Sequence, residues 1–148
     1  MATGDGWTSR LIAGMAQHLD DGGVGVYRPT GKYTSDEIAI VDRAIPPEPD
    51  RVITLATYPV SSPPGMADIT VGVQVRIRGT TDPRVCDDIA DAVFDLLDSA
   101  FRLTLNDIPV VQIYRQSYTS LGQDGNQRWE SSQNYYVDAM RPTNNRTD

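Results

Sequence analysis

Residues 69–78, ITVGVQVRIR, decide how the rest of the chain is read. Ile69, Val71, Val73, Val75 and Ile77 alternate with Thr70, Gly72, Gln74, Arg76 and Arg78, the two-residue period of a strand with one apolar and one polar face. A strand of that kind belongs in an antiparallel sheet with cover on one side only. The cover follows directly. In GTTDPRVCDDIADAVFDLLDSAF, 79–101, Thr81 or Asp82 can cap a helix and Pro83 suits its first position, where a missing N–H costs nothing.

Wound at about 100° per residue, positions 84–102 separate into two halves. Val85, Cys86, Ile89, Ala90, Val93, Phe94, Leu96, Leu97, Ala100 and Phe101 share one half. Asp87, Asp88, Asp91, Asp95 and Asp98 share the other. Burying six large side chains from the apolar half is worth on the order of 10 kcal/mol. Like charges three or four apart cost only a few tenths each. The aspartate row is therefore tolerated by the fold rather than required by it. Spread along one straight helix, the carboxylates do not converge as a calcium site demands, and facing away from the core they lack the burial that tunes a catalytic acid.

Outward from this pair, WTSRLIAGMAQHL predicts a helix from Trp7 to Leu19, capped by Asp5 and stopped by Gly22–Gly23. Strands are expected at Val24–Tyr27, within EIAIVDRAI, and in RVITLATYPV, the last ending at Pro59. Two more, VVQIYRQSYTS and QRWESSQNYYVDAM, join around Asp124–Gly125 as a hairpin. RPTNNRTD, 141–148, is expected to fray for want of anything to pack on. The expected architecture is α+β: one domain over 1–148, a single mostly antiparallel sheet with two helices packed on one face.

Composition narrows function. The 148 residues carry 13 Lys and Arg against 20 Asp and Glu, a net charge of −7. That balance opposes general nucleic-acid binding, whose affinity comes from cations on phosphates. No apolar run approaches a membrane span, and the opening residues lack a basic leader followed by an apolar block, so no signal peptide is expected. One cysteine, Cys86, and one histidine, His18, exclude an internal disulfide and the usual Cys/His zinc sites. Cys86 reads as a small buried hydrophobe, and His18 as a cation near a helix C-terminus. RGTTDP has one glycine and none of the spacing of a phosphate-binding loop, and no serine sits in a nucleophile motif. Tyr114, Tyr118, Tyr135 and Tyr136 with Arg115 and Arg128 are compatible with a base-stacking sheet, but strand tyrosines are common and the acidic balance argues otherwise. Neither a catalytic, a cofactor nor a metal site is expected.

One complementarity remains. Arg76 and Arg78 on the polar strand face, and Asp87, Asp91, Asp95 and Asp98 on the helix, would satisfy each other across a contact between copies, a head-to-tail arrangement that closes into a ring when the rotation permits.

Three blocks in order, GVGVYRPTGKY (23–33), AIVDRAIPPEPDRVITLATYPV (39–60) and VGVQVRIRGTTDPRVCDDIADAVFDLLDS (71–99), resemble the minor capsid or tail terminator proteins of long-tailed bacteriophages, especially those of actinobacterial hosts. The resemblance implies a virion protein without enzymatic activity or cofactor. It implies a ring, typically of six copies, on the last ring of the tail tube, ending polymerisation and joining the tube protein to the head–tail connector. Genomic DNA would pass through the lumen without specific binding. A connector adaptor or stopper is the neighbouring alternative, and a small nucleic-acid binder the more distant one. Loops RPTGKYTSDE and VSSPPGMAD are then natural docking surfaces.

Overall fold

The computed structural model describes residues 2–147. Two helices and seven strands follow in the order α1 (Trp7–Asp21), β1 (Val26–Tyr27), β2 (Ala39–Asp42), β3 (Val52–Ser61), β4 (Asp68–Arg78), α2 (Pro83–Leu97), β5 (Ala100–Leu105), β6 (Ile108–Gln123) and β7 (Trp129–Met140). The strands form one sheet ordered β1-β2-β3-β4-β7-β6-β5. β1–β2 and β2–β3 pair in parallel, and the other four pairings are antiparallel. The expected α+β sheet with two helices is what the chain forms.

The alternation in β4 is the spine of the core. Ile69, Val71, Val73, Val75 and Ile77 are all buried, and their partners on β7 (Ala139, Val137, Tyr135, Gln133, Ser131) continue the same face. Against it lie Leu11, Met15 and Leu19 of α1 and Cys86, Ile89, Ala90, Val93 and Leu97 of α2. α1 touches β1, β2 and β3 at one border of the sheet and β5 at the other, so the sheet curls around it. A Cβ on Gly14 would meet the Leu105 carbonyl carbon at 2.8 Å, and Asn106 Nδ2 donates to the Arg10 carbonyl at 3.2 Å. This close approach brings the far border of the sheet onto the helix.

Several boundaries differ from expectation. α1 has Gly6 rather than Asp5 at its N-cap, with no side-chain cap; the Asp5 carboxylate accepts from the Ala2 N–H instead. β3 runs through Pro59 to Ser61. β2 leaves β3 at Leu55 and the β3–β4 register shifts after Pro59, so the proline removes no donor from a second ladder. α2 ends at Leu97, four residues before Phe101. Its N-terminus is as expected: Asp82 Oδ1 accepts from the Arg84 N–H at 3.0 Å, with Pro83 behind it. At the other end Asp98 Oδ1 accepts from the Arg115 N–H and the Ser99 N–H donates to the Ile113 carbonyl, both at 2.8 Å. Pairing with β6 thus outcompetes another helical turn, and β5 begins. Phe101, expected in the core, is 64% exposed.

Residues 141–147 have something to hold after all. Arg146 Nη1 donates to the Pro63 and Met66 carbonyls at 2.8 and 3.0 Å, and the Thr147 N–H to Gly65 at 3.1 Å. Arg141 stacks 5.0 Å from the Trp7 ring centroid. Asp148 lies outside the described residues.

Candidate assembly surfaces

Among the described residues no helix covers the face of the sheet opposite α1 and α2; the 46–50 loop lies over its Arg78 end, and the rest is organised by polar side chains. The ring of Tyr58 lies over Gly72, where an added Cβ would sit 2.2 Å from ring carbon, and its hydroxyl donates to Asn134 Oδ1 at 3.0 Å. Asn134 Nδ2 in turn donates to Ser117 Oγ at 3.0 Å. Asp138 accepts from Thr70 Oγ1 at 2.6 Å and from Gln112 Nε2 at 2.8 Å. Tyr114 and Tyr136 meet edge to face at 5.8 Å. These bonds run across strands and fix the register of β3, β4, β7 and β6.

Arg76 and Arg78 belong to this system rather than to a free cationic patch. Arg76 Nε donates to Glu130 Oε1 at 2.8 Å across the β4–β7 pair. Arg78 is 2% exposed. It donates to the carbonyls of Asp50 (2.9 Å), Pro46 (2.7 Å) and Pro49 (2.7 Å). Burial, with Arg128 nearby, lowers its pKa from the ordinary arginine value. Arg128 reaches the same segment, donating to the Pro47 carbonyl at 2.7 Å and to Asp124 Oδ2 at 2.8 Å. Two buried guanidiniums therefore shape the PPEPD loop from inside. Arg78, expected to face another subunit's carboxylates, directs Nε and Nη2 to carbonyls of its own chain.

The aspartates divide. Asp87, Asp91 and Asp95 are exposed on α2. Asp98 is the helix C-cap, half-buried, and its carboxylate accepts from the Arg115 N–H. The surface row is thus three of the four residues, with Asp88 on the opposite flank, in a groove with Val24, Ile38 and Arg51. Among the described residues no group of three or more His, Cys, Asp or Glu side chains converges as a metal would require.

The tyrosines do not assemble a platform. Tyr135 is fully buried, donating to Gln133 Oε1, and burial pushes its pKa well above the ordinary tyrosine value. Arg115 lies on the helix side, 4.3 Å from the Phe94 centroid and 5.7 Å from that of Tyr118, and donates to Gln133 Oε1 at 3.3 Å. Of these four, Tyr114 and Tyr136 alone adjoin on the open face, where the Tyr58 ring lies over Gly72, the β4 partner of Tyr136. Cys86 is buried, its sulfur 3.8 Å from the Ile77 carbonyl oxygen and 3.5 Å from Ser131 Oγ, while His18 lines a groove between α1 and β5 with Tyr27 and Asn106.

Both loops named as docking surfaces are braced. Glu37 accepts from both terminal nitrogens of Arg28 at 2.6 Å, and Tyr33 donates to the Ile40 carbonyl at 2.9 Å. Arg146 holds the 62–66 loop. Sequence reasoning missed the uncovered strand borders. β5 covers β6 only as far as Ile113, and β2 covers β3 only as far as Leu55. Beyond those points the two strands expose Tyr114, Tyr118 and Leu121, and Val60, respectively. The Asn106–Asp107 dipeptide, a turn with φ of 49° and 67°, was the signal that a further strand precedes Ile108 and hairpins onto β6.

No helix among the described residues is long and apolar enough to cross a membrane. No protein-family model matches the chain, and no curated protein matches it. Among solved structures the fold recurs in a chain of the "Virion of native gene transfer agent (GTA) particle". The TM-score is 0.54 at 16% identity, over 68% of this chain and 78% of that one.

Proposed function

We propose that the chain is a structural protein of a phage-like virion, which forms a ring at the head-proximal end of the tail tube, ends tube polymerisation and offers the surface to which the head is joined. The observation that carries the reading is the fold held in common with a chain of a gene transfer agent virion. The order of the three sequence blocks supports the finer assignment to the end of the tail. The geometry is compatible with a scaffold and not built for turnover. Buried polar groups are spent on register and loop anchoring, and the surface carboxylates stand in a row rather than around a point. On this reading the partners are further copies of the chain, six in a ring, the tail tube protein and a head–tail connector protein. A net charge of −7 keeps a DNA-traversed lumen from holding phosphates.

Deleting the gene from its phage tests the assignment. Abnormally long or headless tails are expected. Tails of normal length beside filled, unjoined heads would move the protein to the connector, and intact infectious particles would overturn a place in the virion's tail altogether.

A further inference from the structure

The two uncovered strand borders match each other. β3 is antiparallel to β4, β4 to β7 and β7 to β6, so β3 and β6 run in opposite directions. A second copy set beside the first in the same orientation therefore presents its β3 antiparallel to the first copy's β6. The uncovered stretches, 56–61 of β3 and 114–123 of β6, lie at opposite ends of the sheet. β6 residues 117–123 align through β7 with the end of β4 at Arg78, while β3 residues 57–61 align with its start. Two copies then interlock in a stagger. β5 of one passes beyond the end of its neighbour's β3, and the neighbour's β1 and β2 pass beyond the first copy's hairpin.

Charge agrees with this placement. Beside the β6 border runs α2, whose Phe94 carries Arg115 of β6, with Asp87, Asp91 and Asp95 exposed. Beside the β3 border lies a groove lined by Trp7, Thr57, Pro59, Arg43 and Arg141. Trp7 belongs to α1, so acid and base flank the contact on the same, helix-bearing side. Arg43 also donates to Asp42 Oδ1 at 3.0 Å, so the basic flank holds one acid of its own, and Arg141 is the cation there that stacks on Trp7.

We propose that a second copy of this chain docks its β3 border, 56–61 with Arg43 and Arg141, on the β6 border, 114–123 with Asp87, Asp91 and Asp95. This rests on the reading of the chain as a ring subunit and replaces Arg76 and Arg78 by Arg43 and Arg141 as the cations of the contact. Register shifts at Arg115/Ser117 and Ser120/Gly122 on one border, and Pro59 on the other, shorten the shared ladder. The contact is accordingly a short ladder reinforced by Tyr118, Leu121 and Val60, not an open-ended sheet. The twist that bulges introduce supplies the rotation between copies that a closed ring needs.

With the two stretches centred on each other, Gln116 falls near Val60 of the neighbour. The full-length variant carrying Gln116→Cys and Val60→Cys, treated with a short bis-maleimide, is expected to give a ladder of cross-linked multimers. Each single variant alone should give none, and the two single variants mixed should give a dimer. Asp91→Lys with Asp95→Lys should cut the yield several-fold, and Arg43→Glu with Arg141→Glu added to that background should restore it. A multimeric solution mass without the cross-link overturns this contact and leaves the ring reading standing. A monomeric mass at every concentration without the cross-link overturns both the contact and the self-assembly on which it rests.

Discussion

Arg78 donates through Nη2 to the carbonyl oxygen of Pro49 at 2.7 Å, from a position only 2% exposed, joining the end of the central strand to the loop that enters β3. The same guanidinium serves Pro46 and Asp50. A fork of fixed donors suits three carbonyls in a way a single ammonium cannot.

Replacing Arg78 by Ala should therefore cost about 2–4 kcal/mol, because the charge-assisted bonds are lost and three carbonyls are left without their donor. Arg78→Lys should recover less than half of that. Urea unfolding checks both, and a neutral Arg78→Ala would show that the loop holds itself.

Gly72→Ala should destabilise by about 1–3 kcal/mol, since the new methyl displaces the Tyr58 ring and its bond to Asn134. In Tyr58→Ser the same substitution should be close to neutral. A double-mutant cycle reads the difference as coupling between the two positions; additive costs would contradict ring-over-glycine packing.

The Arg28–Glu37 latch should survive mild acid. Hydrogen bonding from Arg28, then from the Thr34 N–H, depresses the Glu37 pKa from its ordinary 4.5 to about 2. A depressed carboxylate stabilises the folded loop above the ordinary value and loses that contribution as pH falls through the folded one, here from about 4.5 down to about 2. Carboxyl-carbon NMR of Glu37 should show a midpoint near the lower value, moving up in Arg28→Gln. A midpoint near 4.5 in the unsubstituted protein would mean the latch is open in solution.

Cys86 should be inert in the folded protein. It is 3% exposed, and burial raises its thiol pKa, so both access and thiolate are scarce. Its reaction with a disulfide reagent should be at least about 100-fold slower than in urea, since it awaits opening of the core. Reaction at the unfolded rate would place α2 off the sheet.

How much of this was legible in the sequence varies by element. The β4 alternation and the Asp82–Pro83 start of α2 were, because both are local: a two-residue period and a cap need only neighbours to be recognised. The end of α2 was not. Ala100 and Phe101 continue the helical apolar stripe, and what stops the helix is Arg115 and Ile113, more than a dozen residues away. Arg78 was read as a surface cation from its place in the alternation, which cannot report that a proline-rich loop folds over that face.

By itself, then, the sequence determined one sheet with a helical cover, the absence of a nucleophile or metal motif, and an acidic surface row, since these follow from periodicity, composition and spacing. Only the tertiary structure decided which charges remain available between molecules. Whether a guanidinium is free depends on the carbonyls and carboxylates brought to it: Arg78 and Arg128 are buried on carbonyls of the 46–50 segment, Arg76 meets Glu130, Arg43 meets Asp42 at a more exposed position, and Arg43 and Arg141 both line the groove beside the β3 border. The distant partners are set by strand order, which no local pattern in the chain encodes.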